Sequence, residues 1–180
     1  PALVDRLRAA GATLHPVTAA VMAALSDRDG PQGIVAAFRT FDTPLASFDL
    51  RGVPLVLVLD RPQDPGNLGG LIRTADAVAA AGVLVLEPAV DLFDPKTIRA
   101  SMGSLFNLPV VQSADAPGAL RFLSAQGVVA VGTSEHAGEP WGESALRGPV
   151  ALVLGNEARG LSADVQSLIE RWASLPMRGK

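Results

Sequence analysis

At 180 residues and 48% apolar, the chain is long enough for one well-buried domain with a small appendage, but no apolar run approaches the roughly 20 residues of a membrane span and no charged-then-apolar leader opens it. It has no cysteine, which removes disulfides and thiolate metal sites, and its two histidines, His15 and His136, stand at no metal-ligand spacing. A net charge of −3 makes the chain as a whole no electrostatic magnet for nucleic acid, so any such binding has to come from a local patch.

In chain order, Leu3, Leu7 and Ala10 have a helical spacing that Gly11 ends. Pro16 opens a second short helix with Val17, Ala20, Val21 and Leu25 on its apolar face. After a loop at 26–31, the run Ile34 to Phe38 predicts a strand. Mixed polarity and Pro44 make Thr40 to Gly52 a linker and divide the chain into 1–45 and 46–180. From Pro54 the rhythm is a repeated strand–helix alternation. Strands are predicted at 55–59, 83–86, 108–111, 128–131 and 150–154, with a last short one at 172–175. Helices are predicted at 68–80, 95–102, 116–125 and 161–171. Continuous Val/Leu/Ile runs suit strands covered on both faces. The fold class is therefore α/β, a mostly parallel sheet with helices on both faces. The chain starts at Pro1 without a methionine and ends at Lys180 in a glycine-containing turn, so trimming at both ends is expected.

Four stretches carry candidate chemistry. In 60–75 a strand gives way to a loop stiffened by Pro62 and Pro65, and Asn67 is a good N-cap for the following helix. Gly69 and Gly70 are poor helix formers, costing roughly 1 kcal/mol each relative to alanine, and point to close approach by another backbone or a ligand. Arg73 is read as lying near the helix start, where the macrodipole disfavours a cation. A functional arginine is one reading; the other is a surface arginine or one paired with Asp76. The G-x-G-x-x-G dinucleotide fingerprint is absent. In 94–109, Lys96 and Arg99 share a helix face that suits either a phosphate or plain solvent. In 152–160 a buried strand stops at Gly155, and the turn to Gly160 carries Asn156 and Glu157. A strand–turn–helix unit of this kind builds ligand pockets at the carboxyl ends of α/β sheets. The Glu157 carboxylate would repel a phosphate and suits hydroxyls, an amine or positive charge; its alternative is to cap the helix from Leu161. The fourth stretch, Leu175 to Gly179, means little by itself.

Taken in order, these stretches resemble the SpoU (TrmH-type) branch of the SPOUT methyltransferases. Asn67-x-Gly69-x3-Arg73-x-Ala75 is similar to the family's first motif, Leu154-Gly155-Asn156-Glu157-x2-Gly160 to its second, and Leu175-Pro176-Met177-x-Gly179 to the start of its third. The resemblance spans 54–180. Residues 30–36 resemble the segment that joins a small L30e-like RNA-binding domain to the catalytic one, and 1–45 would be the last portion of that domain. The resemblance implies a C-terminal trefoil knot, against the general rule that chains do not thread loops. It also implies a homodimer, with S-adenosylmethionine as cofactor and methyl transfer to a ribose 2′-hydroxyl of tRNA or rRNA; the absence of cysteine suits the cytoplasm, and neither a metal nor a membrane is expected as partner.

Carried over by position, the resemblance implies that Arg73 activates the hydroxyl while Asn67 and Glu157 support the site. It implies that Leu154, Gly155, Glu157, Gly160, Leu175 and Met177, with Thr133 from the preceding strand, line the cofactor pocket. Arg73 is either a base or an orienting group, because an arginine acts as a base only where its charge is disfavoured. The family's third motif continues into a Ser-Leu-Asn segment and a final helix, and here the sequence stops at Lys180. Two rival readings stand beside this one. The first is an RNA-binding relative without catalysis. The second is a doubly wound oxidoreductase, supported only by Glu87 at the end of the second strand.

Overall fold

The computed structural model describes residues 2–26, 33–52, 54–134, 139–140 and 146–174. By its contacts the chain divides into two compact units, Pro1–Thr40 and Phe41–Lys180. In the first, α1 (Ala2–Ala9) is followed by α2 (Ala19–Leu25), whose N-cap is Thr18; the Thr18 hydroxyl accepts from the Val21 amide at 3.4 Å. The predicted strand at Ile34–Phe38 does not form. Its backbone is irregular, and Ile34, Val35 and Phe38 are exposed. A single extended run needs a neighbour to complete its hydrogen bonds, and no described residue supplies a ladder there.

The second unit holds a seven-stranded sheet. In chain order the strands are β1 (Leu55–Asp60), β2 (Gly82–Leu86), β3 (Val110–Ser113), β4 (Val129–Ser134), β5 (Glu139–Pro140), β6 (Val150–Leu154) and β7 (Arg171–Ser174). Their spatial order is β3-β2-β1-β6-β4-β7-β5, and every pairing is parallel. The helices are α3 (Pro65–Ala77), α4 (Pro95–Ala100), α5 (Ala116–Ala125) and α6 (Ala163–Gln166). β1 shows why its sequence reads as an unbroken apolar run. Val56 and Val58 point into one core with Leu120 and Leu123 of α5 and Val165 of α6. Leu57 and Leu59 point into a second core with Leu68 and Ile72 of α3 and with Leu105. Alternate side chains of a strand face opposite ways, so a strand between two helical layers needs apolar residues at every position. The α/β class with helices on both faces is what the structure shows.

Three departures from the predicted elements matter for the site. Asp64, and not Asn67, caps α3: its Oδ1 accepts from the Asn67 amide at 2.7 Å, and Pro65 takes the first helical position, where a missing N–H costs nothing. The helix predicted over 161–171 shrinks to four residues, because the chain has to re-enter the sheet as β7 beside β4. The stretch read as a linker is tied down. Phe48 is buried, and a side chain at Gly82 would run into its ring.

Candidate active site

The carboxyl ends of β1 and β6 lie side by side, with Leu59 paired to Leu154. Each strand gives way to one of the suspected loops, and three contacts knit the two loops together. Asn156 donates from Nδ2 to the Arg61 carbonyl at 3.0 Å. The Ser162 amide donates to Asp60 Oδ2 at 2.5 Å. Asn67 donates from Nδ2 to Glu157 Oε1 at 2.9 Å, across 90 residues of sequence. With Asp64 in the capping position, Asn67 spends only its backbone N–H on the helix end and keeps its side chain for Glu157.

The 155–160 turn is shaped by its own backbone. Asn156 and Gly160 form a two-way bridge, with N···O distances of 3.0 and 2.8 Å. Asn156 Oδ1 accepts from the amides of Ala158 and Arg159 at 3.0 and 3.1 Å, an Asx arrangement that fixes the turn without help from Glu157. Glu157 is thus not a cap for the helix that follows; Ser162 precedes α6 instead. Gly160 has φ +66, a conformation that favours glycine. Gly155 is constrained by contact: a Cβ there would lie 2.5 Å from the Gly160 carbonyl carbon and 2.7 Å from the Leu161 nitrogen. The need for glycine at 155 therefore comes from its own turn.

Asn67 and Glu157 are exposed, and Leu154 and Gly155 are half-buried beside them. Thr133 stands on β4, the strand beyond β6, and its hydroxyl donates to the Val153 carbonyl at 3.3 Å. Leu175 and Met177 lie outside the described residues, as does His136. Among the described residues no three acidic or imidazole side chains gather as metal ligands, and no helix is long and apolar enough to cross a membrane.

Arg73 does not join the Asn67–Glu157 contact. It lies two turns past the first residue of α3, not near the helix start. Six residues separate it from Asn67, which is roughly 9 Å along the axis and about a third of a turn around it. Its side chain is exposed and, among the described residues, has no hydrogen-bond or ion-pair partner. The alternative partner, Asp76, instead accepts from Asn107 Nδ2 at 2.6 Å.

Gly69 sets the relation of α3 to α4. A Cβ at 69 would press on the Thr97 carbonyl and lie 2.6 Å from Ala100 Cβ and 2.9 Å from the Ser101 nitrogen. Lys96 is held by Asp64 at 3.1 Å, and Lys96 and Arg99 are both exposed. Attraction to the Asn67 amide, and then to Lys96, holds the Asp64 carboxyl below its ordinary value.

Two residues at the junction carry no signal strong enough to be singled out from sequence. One is Asp60, buried at the end of β1. The other is Asp64, although an Asp-Pro pair before a helix is a recognisable start signal.

Residues 54–180 match the SpoU rRNA Methylase family. The chain is 36% identical to a 23S rRNA (uridine(2479)-2′-O)-methyltransferase of Streptomyces viridochromogenes, over 84% of this chain and 54% of the relative. It is 34% identical to the 23S rRNA (guanosine(2553)-2′-O)-methyltransferase RlmP of Bacillus subtilis, over 87% of this chain and 61% of the relative. The chain thus spans little more than half the length of these curated relatives. Among solved structures, an rRNA methyltransferase from Sinorhizobium meliloti superposes with a TM-score of 0.81 at 32% identity, covering 91% of this chain and 63% of that one. The SpoU methyltransferase AviRb from S. viridochromogenes, solved in complex with AdoMet, superposes with a TM-score of 0.70 at 36% identity, covering 77% of this chain and 57% of that one. Matched over its whole sheet-bearing part in sequence and in fold, the chain belongs to the SpoU branch of the SPOUT methyltransferases.

Proposed function

We propose that the protein transfers a methyl group from S-adenosylmethionine to a ribose 2′-hydroxyl of rRNA or tRNA. The observation that carries this reading is the Asn67–Glu157 hydrogen bond, which joins the first and second motifs at the carboxyl ends of adjacent strands. The relatives named as 2′-O-methyltransferases support the reaction class, and the AdoMet complex of a similar fold supports the cofactor.

The donor set fits this cofactor. A sulfonium is cationic, and the 155–160 turn presents an exposed carboxylate, Glu157, that is not consumed in capping. When bound, the cofactor supplies an electrophilic methyl group, so the protein's task is alignment of the attacking oxygen and removal of its proton. Leu154, Gly155 and Gly160 shape the cofactor side, with Thr133 on the neighbouring strand and with Leu175 and Met177. Asn67 fixes the Glu157 carboxylate. Arg73 lies two turns into α3, where the helix start does not disfavour its charge as a base would need. An exposed guanidinium without a partner among the described residues is a donor fork, suited to hold the ribose or an adjacent phosphate.

The same reading includes a trefoil knot, a homodimer and a cytoplasmic setting. Insertion of β7 between two strands that precede it in sequence supports the knot. Exposed Met102, Phe106 and Val78 support a second copy as partner, and sedimentation of the intact protein tests it. Residues 1–45 are assigned to a small RNA-binding domain, with the catalytic domain at 46–180; the division of contacts near Thr40 supports a boundary in this region.

The test is transfer of labelled methyl groups from S-adenosylmethionine to total RNA, followed by mapping of the modified ribose. Transfer to a 2′-hydroxyl is expected. RNA binding without transfer in the full-length protein would favour a non-catalytic relative.

A further inference from the structure

We propose that Asp60 is a positioning residue for this site, acting through the turn that carries Glu157; the inference rests on the function proposed above. Asp60 is the last residue of β1 and is 2% exposed. Its two oxygens are divided between two donors. Oδ2 accepts from the Ser162 amide at 2.5 Å, beyond the far end of the 155–160 turn, and Oδ1 accepts from Arg61 Nε at 3.1 Å. The near end of the turn is already fixed, because Leu154 is the last residue of β6 paired to β1. Asp60 therefore ties the returning end of the turn to the strand on which the other loop begins.

Arg61 completes the clamp. It has φ +54, an uncommon conformation for a residue with a side chain. Its amide donates to the Leu86 carbonyl at 3.0 Å. Its own carbonyl accepts from Asn156 Nδ2 at 3.0 Å and from Gln63 Nε2 at 3.3 Å. One residue thus holds the Asp60 carboxylate through its side chain and the turn's asparagine through its backbone. Released from this clamp, the turn would keep its internal Asx bonds but lose the placement that brings Glu157 to Asn67.

An aspartate is required because both neighbours are donors. In Asp60→Asn the amide has one oxygen for two N–H groups, so whichever way it is turned one donor meets its NH2. Arg61→Gln offers a way back. The glutamine carbonyl oxygen occupies the same bond position along the side chain as the arginine Nε, so it accepts from the new amide, whose own oxygen then faces Ser162. The double substitution inverts one hydrogen bond and restores the other.

Amide hydrogen exchange at Ser162 and Gly160, calorimetry with S-adenosylhomocysteine and single-turnover methyl transfer are to be measured on the full chain. Expected for Asp60→Asn is exchange at Ser162 faster by at least tenfold and transfer slower by at least tenfold. Expected for Asp60→Asn with Arg61→Gln is recovery of both to within threefold of the wild type. Arg61→Gln alone can keep the hydrogen bond by turning its NH2 to the carboxylate but removes the counter-charge of the buried Asp60, so it should fall between the wild type and Asp60→Asn. A merely structural role would lower the midpoint of unfolding of Asp60→Asn and leave the transfer rate and S-adenosylhomocysteine affinity of the folded variant unchanged. Unchanged exchange and transfer in Asp60→Asn overturns the proposal, as does failure of the double variant to recover or to fold. If the wild type transfers no methyl group while the exchange pattern follows the expected order, the proposed reaction falls and the clamp stands.

Discussion

Gly69 and Gly70 are adjacent in one helix, and alanine should act on them with opposite sign. In a helix interior, replacing glycine with alanine gains about 1 kcal/mol from propensity alone. At Gly70 nothing lies within 4 Å of the new Cβ, so this gain is expected in full. At Gly69 the same Cβ meets the Thr97 carbonyl, Ala100 Cβ at 2.6 Å and the Ser101 nitrogen at 2.9 Å. Two of these three neighbours are backbone atoms of α4 and its C-cap, so no rotamer change relieves the contact and α4 has to move off α3. Forced overpacking of this kind costs typically about 1–3 kcal/mol. The propensity gain is common to both variants, so the gap between them is that same cost, roughly 1–3 kcal/mol. In a domain of this size that separates the two midpoints by at least about 2–4 °C. Urea unfolding of Gly69→Ala and Gly70→Ala, read by circular dichroism with the slope checked for constancy, measures the gap. A Gly69→Ala variant as stable as Gly70→Ala would refute the assignment of Gly69 to helix–helix contact and return it to the ligand.

Gly155→Ala should already open the second-motif turn, since the first added carbon is the one that meets Gly160 and Leu161. Losing the Asn156–Gly160 bridge removes two backbone hydrogen bonds, roughly 1–3 kcal/mol together, and calorimetry should show S-adenosylhomocysteine affinity down by at least about tenfold; wild-type affinity would count against the contact. Arg73→Ala should abolish transfer in a single-turnover assay while stability stays within about 0.5 kcal/mol, because the side chain is exposed and has no partner among the described residues. Arg73→Lys should not restore transfer, as the planar fork is lost, and near-normal turnover in either variant would remove Arg73 from the mechanism. The Asp64 carboxyl is held below its usual 3.8, first by the Asn67 amide and then by Lys96. The unfolded chain therefore takes up this proton more readily. The extra stability is complete above about pH 3.8 and is lost as pH falls through the lower folded value. Thermal melts from pH 5 down to about pH 3, on the linkage argument, should show Asp64→Asn less stable at the upper end and the difference narrowing toward the lower; a constant difference would contradict the assignment.

The sequence by itself determined the layer architecture. Val56, Leu57, Val58 and Leu59 are apolar without alternation because β1 is covered on both faces, and that demand is written residue by residue in local composition. The motif residues were legible for a similar reason: Gly160 is a backbone requirement and Asn67 and Glu157 are polar groups at element ends, all of which leave a mark in one short stretch.

What only the tertiary structure decided is how residues far apart in sequence divide their work. Asn67 reads as a helix cap until Asp64 is found in that place, which frees the Asn67 amide for a partner 90 positions away. Arg73 reads as a cation forced into a helix start until α3 is seen to begin at Pro65. Gly155 reads only as the end of a buried strand until the Gly160 backbone is found against it. Asp60 reads as an ordinary strand end until Ser162 arrives from 102 residues along the chain. Spacing along a chain records local periods, but a hydrogen bond between loops depends on which strands lie side by side. That adjacency was decided by the pairing of β1 with β6, which no local stretch encodes.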